Sequence, residues 1–234
     1  MKRLLPGFVV AILIAVGLSL ISYPSARGWW VNRIHVAMAR AYYHEASQLS
    51  QEEIDSHFQR AYAHNAFLSS TNALILGCKT MVPEDYNDIL NVGGVMSRLV
   101  IPTIAADLPV LHGTEPETLA NGVGHLEGTS FPTGGYGTHS ALTAHSGMPY
   151  ARFFNRLHEL EIGNKFYIYV LDRRLVYKVE YITIIWPHEI YVLRILPDAD
   201  MVSLITCTPI TVNTHRLIVR GVRIKYDCDA TGAE

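Results

Sequence analysis

The chain has 234 residues, with 19 Lys and Arg against 21 Asp and Glu, and 49% of its residues are hydrophobic. The net charge of −2 and the scattered basic residues exclude the basic surface of a nucleic-acid-binding protein. The length suits one domain with appendages, or at most two small domains, and the apolar content is sufficient for a buried core.

The N-terminus predicts an exported protein. Lys2 and Arg3 precede an apolar stretch over 4–21, which is near the minimum length for crossing a bilayer. The basic residues would stay in the cytoplasm and the rest of the chain would lie outside the cell. A cleaved signal peptide begins with the same pattern and is the competing interpretation. We favour a retained single-pass anchor, and assign 1–28 to a cytoplasmic tip and a transmembrane anchor or signal.

Residues 29–66 are predicted to form a helical stalk. Apolar residues recur there at helical spacing: Val31, Ile34, Met38, Ala41 and Tyr42. Ser50 followed by Glu53 is typical of a helix start with a capping box. The second helix that begins there would place Ile54, Phe58, Ala61 and Tyr62 on one face.

Residues 67–94 show no clear period and contain several Gly, Pro, Asp and Asn residues. This pattern predicts a long irregular connection. Such loops in compact domains are often functional, for example as lids over a site.

From residue 95 the pattern changes to short strands separated by turn signals. The predicted strands are 97–101, 108–112, 140–145, 165–171, 175–186, 191–196, 201–207 and 216–219, with brief helical pieces at 115–121 and 151–160. Many short strands with few crossover helices predict a mainly β fold, an eight-stranded closed barrel. We assign the barrel to 95–226 and a polar tail to 227–234.

Cys207 ends an apolar, β-branched run, and Arg216 lies on the next predicted strand. A thiolate attacks carbonyl carbon readily, and the oxyanion that forms needs a cation or N–H donors nearby. This pair therefore suggests acyl transfer. The alternative is a buried structural cysteine, the more common fate of a lone cysteine in a strand.

Eleven histidines compete for the role of the base. We assign His35, His44, His57 and His64 to polar helical faces, and His158 and His188 to surface positions. His145 ends a predicted strand beside Ser146 and Gly147, so it would be held rigidly and yet be open to a ligand. His139 and His215 also lie beside predicted strands and are the rivals.

The chain contains three cysteines, Cys78, Cys207 and Cys228. An odd number leaves at least one free thiol in an oxidising compartment. A Cys78–Cys228 disulfide, a transient one between Cys78 and Cys207, and three unpaired thiols are the alternatives. The absence of a C-x-x-C pair argues against a cysteine zinc site.

Three segments resemble the motifs of the sortases, and of their class C, pilus-assembling members in particular. They are THSALTAHSG at 138–147, LITCTP at 204–209 and NTHRL at 213–217. LHGT at 111–114 and GVGHLEGTS at 122–130 also look like that class. The resemblance covers about residues 29–226.

The resemblance implies the sortase barrel and a set of residue roles. Cys207 matches the nucleophile, His145 the catalytic histidine and Arg216 the catalytic arginine. Thr206 and Leu204 match positions of the substrate groove. No metal and no organic cofactor is implied.

The implied reaction is cleavage of an LPXTG-like sorting signal between Thr and Gly, through a thioester on Cys207. The acyl group would pass to a lysine amine of a pilin and so build covalent pili. A housekeeping sortase that uses a cell-wall amine, a plain hydrolase, and a non-catalytic module that binds an extended peptide are the alternatives.

The chain departs from the class C pattern in two ways. The lid of this class usually contains an Asp-Pro-aromatic motif, whereas 67–94 has no Asp-Pro and offers only Cys78, Pro83, Asp85 and Tyr86 as candidate lid residues. The class also usually has a C-terminal membrane helix, whereas 227–234 is polar, so we expect an N-terminal anchor only or a shortened chain.

Overall fold

The computed structural model describes residues 4–71, 82–148 and 153–224. The helices in these ranges are α1 (Leu4–Ala46), α2 (Gln51–Thr71) and α3 (Pro116–Asn121). The strands are β1 (Ser97–Ile101), β2 (Ala106–His112), β3 (Val123–His125), β4 (Thr138–Thr143), β5 (Lys165–Val170), β6 (Arg173–Ile185), β7 (Asp200–Thr208) and β8 (His215–Arg223). Short 3-10 helices span Pro102–Ile104, Leu157–Glu159 and Ile190–Leu193.

The strands form a closed barrel in the order β1-β2-β3-β4-β7-β8-β6-β5, with β5 paired to β1. The β2–β3 and β4–β7 pairs are parallel and the others antiparallel. Closure leaves no unpaired edge strand, which removes the usual route to strand-mediated aggregation. The predicted mainly β barrel is confirmed.

Seven of the predicted strands are present, one with the predicted bounds (97–101) and six with shifted ends, and the strand predicted at 191–196 is wrong. Val192 and Leu193 are adjacent and both buried, whereas a strand sends neighbouring side chains to opposite faces. They lie in the 3-10 helix Ile190–Leu193 instead.

Strand β3 was missed because Gly124 occupies its centre. A Cβ atom there would lie 2.4 Å from the carbonyl oxygen of Gly113, so the glycine permits a close backbone approach that residue propensity does not predict.

The predicted helical piece at 115–121 is confirmed as α3. The piece predicted at 151–160 begins outside the described residues, and its described part consists of turns and the 3-10 helix Leu157–Glu159.

Helix α1 is continuous from Leu4 to Ala46, so it joins the predicted membrane segment to the first stalk helix. Within the described residues, no helical segment has both the length and the hydropathy that a membrane crossing requires. Of the segment at 1–28 predicted as a cytoplasmic tip and anchor, residues 1–3 lie outside the described residues, and so does the predicted tail at 227–234.

The last turns of α1 pack against β1 and β2. Ala39, Tyr42 and Ala46 are buried there, and so is His35, which is only 2% exposed and lies 5.0 Å from the Phe153 ring between centroids. The assignment of His35 to a polar face is therefore wrong. Burial lowers its pKa, because the charged ring would lose its hydration.

Helix α2 begins with the predicted capping box. The Ser50 backbone N–H donates to the Glu53 carboxylate (2.8 Å), and the Glu53 N–H donates to Ser50 Oγ (3.3 Å). Its buried face is Ile54, Phe58, Ala61, Asn65 and Leu68. The Asn65 amide fixes the loop before β4, because it donates to the Phe131 carbonyl and accepts the Phe131 N–H.

A small apolar cluster lies apart from the main core. Its buried members are Ala141, Ile185, Val192, Leu193, Ile205 and Ile218. They come from β4, β6, β7, β8 and the 3-10 helix Ile190–Leu193. This cluster supports one side of the candidate site described below.

Tyr42 joins α1 to the barrel through its hydroxyl, which donates to the Met96 carbonyl (3.2 Å) and accepts the Leu171 N–H (2.7 Å). Tyr42→Phe should lower the free energy of unfolding by about 1–3 kcal/mol, because both buried backbone groups would lose their partner. Urea denaturation measures this change. Tyr43→Phe is the matched control, since Tyr43 is 63% exposed; equal stability of the two variants would contradict the role.

Candidate active site

The three predicted catalytic residues meet at one end of the barrel. Strands β4 and β7 are parallel, with Thr143 opposite Ile205, so His145 and Cys207 lie at the same end of both strands. Strand β8 returns antiparallel beside β7, and Arg216 is the direct partner of Cys207. All three residues are half-buried, so they are held by the fold and remain accessible.

A groove of about 410 Å³ opens between these residues and the small apolar cluster. Its lining combines His145, Cys207 and Arg216 with mostly apolar side chains: Thr114, Leu119, Leu126, Thr143, Ala144, Ile185, Pro187, Ile190, Leu193, Ile205 and Ile218. Apolar walls with a few polar groups at one point are typical of a ligand-binding site, in which the polar groups fix the orientation of the ligand.

The alternation of β7 decides which of its residues reach this groove. Ile205 and Cys207 line it, whereas Leu204 is fully buried in the main core. Thr206 is 3% exposed, and its hydroxyl donates to the Ala144 carbonyl (2.7 Å). The structure therefore places the predicted substrate residues Leu204 and Thr206 on the opposite face from the groove.

Two groove residues that the sequence motifs did not indicate could have been predicted from the alternation of side chains between the two faces of a strand. Ile205 lies two residues before Cys207, and Ile218 lies two residues after Arg216, so each shares a strand face with one of the predicted catalytic residues. Both line the groove.

The Arg216 guanidinium is held by backbone oxygens. Its Nη1 donates to the carbonyls of Asn213 (3.1 Å) and His215 (3.0 Å). Among the described residues, no carboxylate forms an ion pair with it. Its positive charge is thus fixed in place and is not neutralised by an acidic neighbour there.

The His145 ring lies at the groove, with the Phe153 ring edge-on at 6.5 Å between centroids. The His145 carbonyl accepts the Phe154 N–H (3.1 Å), which ties the segment after β4 to the turn at 153–156. The ring itself forms no hydrogen bond to a described residue, so both ring nitrogens are available for proton transfer.

The rival His139 is a buried structural residue. It is 0% exposed, with Nε2 bonded to Ser203 Oγ (2.8 Å) and Nδ1 bonded to the Arg194 carbonyl (2.9 Å). Burial lowers its pKa to about 4, with a smaller contribution from the charge of Arg220. A ring that is neutral and enclosed cannot reach a substrate.

The other rival, His215, packs against Trp186 with ring centroids 4.1 Å apart. It is paired with Thr208 across β7 and β8 and does not line the groove.

The candidate lid residues within the described ranges, Pro83, Asp85 and Tyr86, do not line the groove. Tyr86 is 4% exposed, accepts the Gly113 N–H (3.0 Å) and is bonded to His125 Nδ1 (2.8 Å). Asp85 forms an ion pair with Arg60 on α2 (3.4 Å), and Pro83 is half-buried. Cys78 and Cys228 lie outside the described residues.

A second cleft, of about 690 Å³, lies at the other end of the barrel between α2 and the loop before β4. Asp200, Arg223 and Tyr136 contribute to its walls, and none of the three predicted catalytic residues does. Within the described residues, no group of three or more His, Cys, Asp or Glu side chains could hold a metal ion.

A family model described as the sortase domain matches residues 99–224. Among curated proteins, the chain is similar to Sortase A of Bacillus anthracis, with 27% identity over 141 residues, or 59% of this chain. The match spans 64% of that relative, slightly less than two thirds of its length.

Solved structures similar to this one include sortase C1 of GBS pilus island 1, with 35% identity and a TM-score of 0.76 over 85% of this chain and 96% of that chain. A crystal structure of Streptococcus agalactiae sortase C1 shows 37% identity and a TM-score of 0.74 over 82% and 98%. Sortase C-1 from Streptococcus pneumoniae shows 38% identity and a TM-score of 0.74 over 82% and 100%.

The buried histidines make stability depend on pH. Burial lowers the pKa of His139 to about 4 and that of His125 to about 3, whereas both rings titrate near 6.5 in the unfolded chain. Their stabilising contribution is complete above pH 6.5 and is lost as the pH falls, because only the unfolded chain then binds protons. The free energy of unfolding should fall by about 1 kcal/mol per pH unit for each histidine.

Urea denaturation between pH 7 and pH 5 measures this slope. His139→Asn should reduce the slope of the unfolding free energy against pH by the contribution of one bound proton. His44→Gln, at an exposed position on α1, should leave the slope unchanged. Equal slopes for the two variants would show that His139 does not contribute.

Proposed function

The chain belongs to the sortase family, and we propose that it is a cysteine transpeptidase that joins sorting signals to an amine. The observation that supports this most strongly is the pairing of Cys207 with Arg216 beside His145, at the mouth of one groove. A thiol, a fixed cation and a histidine are the three groups that acyl transfer through a thioester requires.

In the first half-reaction the Cys207 thiolate attacks the Thr carbonyl carbon in the Thr–Gly peptide bond of an LPXTG-like signal. A C–S bond forms and the carbonyl oxygen takes up the negative charge. The C–N bond then breaks, and His145 gives its proton to the leaving amine of Gly. The groove supports this substrate, since its apolar walls suit the Leu and Pro side chains of such a signal.

In the second half-reaction an acceptor amine attacks the thioester. His145, now neutral, removes a proton from the amine as the new C–N bond forms, and the Cys207 thiolate leaves. The product is an amide, and the enzyme returns to its starting state.

Arg216 stabilises the oxyanion and holds the substrate backbone in both steps. Its Nη1 already donates to the carbonyls of Asn213 and His215, just before it in the chain. The remaining N–H groups are therefore presented in a fixed orientation. A donor that does not need to reorganise during the reaction lowers the barrier most effectively.

The acceptor is a pilin lysine, so that the product is an isopeptide-linked pilus. This part rests on the similarity to sortases whose names refer to pili. The similarity to Sortase A of Bacillus anthracis is the reason to test a cell-wall amine beside it.

The enzyme is anchored in the cell membrane by the first part of α1, with the barrel outside. The large apolar side chains described between residues 9 and 21 are exposed: Val9, Val10, Ile12, Leu13, Ile14, Val16, Leu18, Leu20 and Ile21. The exposed rings of Tyr23, Trp29 and Trp30 follow, and such aromatic residues are typical of a membrane–water interface.

Cys207→Ala should abolish thioester formation and lower product formation by about 10³-fold or more, because the alanine supplies no nucleophile. Mass spectrometry of the enzyme incubated with an LPXTG-type peptide detects the adduct. Cys228→Ala is the matched control and should keep both the adduct and the product. Transpeptidation that persists in Cys207→Ala would disprove the proposal.

A competition experiment identifies the acceptor. The enzyme and a sorting peptide are incubated with a folded pilin domain or with a peptidoglycan-type amine, and the products are analysed by mass spectrometry. We expect an isopeptide bond to a pilin lysine. Consumption of the peptidoglycan amine would indicate a housekeeping sortase, and free acid in both mixtures would indicate a hydrolase.

A further inference from the structure

The backbone ladder between β4 and β7 stops before it reaches the catalytic residues. Its last pair is Thr143 with Ile205, and the Ala144 N–H then donates to the Ile205 carbonyl (3.1 Å). Cys207 remains on β7, where β8 pairs with it. His145 lies beyond the end of β4, so its position relative to Cys207 depends on other contacts.

Two hydroxyl groups continue the connection where the ladder ends. Thr206 Oγ1 donates to the carbonyl of Ala144 (2.7 Å), the residue before His145. Ser146 Oγ, from the residue after His145, donates to the carbonyl of Cys207 itself (2.6 Å). The histidine is thus held on both sides by bonds to the strand of the nucleophile.

Gly147 provides an independent sign that these two segments must stay close. Its φ is +76°, and a Cβ atom there would lie only 2.6 Å from Cγ2 of Ile210, in the turn after β7. A larger residue would force either the Ile210 side chain or one of the two turns to move. Glycine satisfies both the conformation and the close approach.

We infer that Ser146 is a positioning residue that sets the distance between the His145 ring and the Cys207 thiol. Ser146 does not line the groove, so it acts through the backbone of Cys207. The inference rests on the proposed function, because proton transfer between the two catalytic groups gives that distance its importance.

The expected effect is large because acyl transfer is sensitive to geometry. A displacement of about 1 Å between reacting groups can cost on the order of 10²-fold in rate. Removal of the Ser146 hydroxyl releases one of the two hydroxyl bonds, while the groove that binds the peptide keeps its lining.

Ser146→Ala should therefore lower kcat by roughly tenfold to a hundredfold and change KM for the sorting peptide by less than about twofold. Ser146→Thr keeps a hydroxyl and should recover most of kcat. Ser140→Ala is the matched control, since Ser140 lies within β4 and its Oγ is buried with no hydrogen-bond partner among the described residues. Its kcat should equal that of the unmodified protein.

A second measurement does not depend on the identity of the peptide. The second-order rate constant for alkylation of Cys207 by iodoacetamide at pH 7 should fall several-fold in Ser146→Ala and remain unchanged in Ser140→Ala. This result would stand even if the sorting peptide proved not to be the substrate.

Three results would overturn the inference. They are an unchanged kcat and alkylation rate in Ser146→Ala, a Ser146→Thr variant as slow as Ser146→Ala, and a lower thermal unfolding midpoint of Ser146→Ala without a change in kcat. The last of these would show that the hydroxyl stabilises the fold only.

Discussion

The relative register of β4, β7 and β8 is the constraint on which the site depends. Parallel pairing brings the ends of β4 and β7 together, and the antiparallel return of β8 places Arg216 opposite Cys207. A slip of one residue would reverse the facing of a whole strand. Cys207 would then point into the main core, and Thr206 would point into the groove. The length of the turn at 209–214 therefore matters for the chemistry, since it fixes which residue of β8 meets the cysteine.

Burial distinguishes His139, which is enclosed, from His145, which lines the groove. His139 shares a strand pattern with His145, but it is enclosed and neutral, and its Nδ1 is bonded to the Arg194 carbonyl. Arg194 directly follows the 3-10 helix that supplies Ile190 and Leu193 to the groove wall. The rival histidine therefore supports the groove from behind, while half-buried His145 remains accessible from the solvent side.

Short-range pattern predicted the barrel, and it singled out Cys207, His145 and Arg216, which line one groove, because two-residue alternation and strand-end placement are local properties. It failed where long-range contacts decide the structure. Strand β3 exists because Gly124 allows a close approach to Gly113. The apolar run at 191–196 predicted a strand. The neighbours Val192 and Leu193 are both buried, however, because they lie in a 3-10 helix that packs on the barrel. The irregular pattern around Tyr86 predicted a lid loop. Its hydroxyl instead forms hydrogen bonds with the Gly113 N–H and with His125 Nδ1, and these bonds hold the side chain in the core.

The position of His145 just beyond β4 reconciles two opposing needs. A residue inside the ladder has its side-chain direction fixed by the pleat, perpendicular to the sheet, and a ring so directed does not turn freely toward a thiol on the neighbouring strand. A residue in an unrestrained loop can turn, but it loses the precision that proton transfer needs. The hydroxyls of Thr206 and Ser146 replace the missing ladder bonds on either side of the histidine. The backbone is thereby held on both sides of His145, while the ring itself forms no hydrogen bond to a described residue.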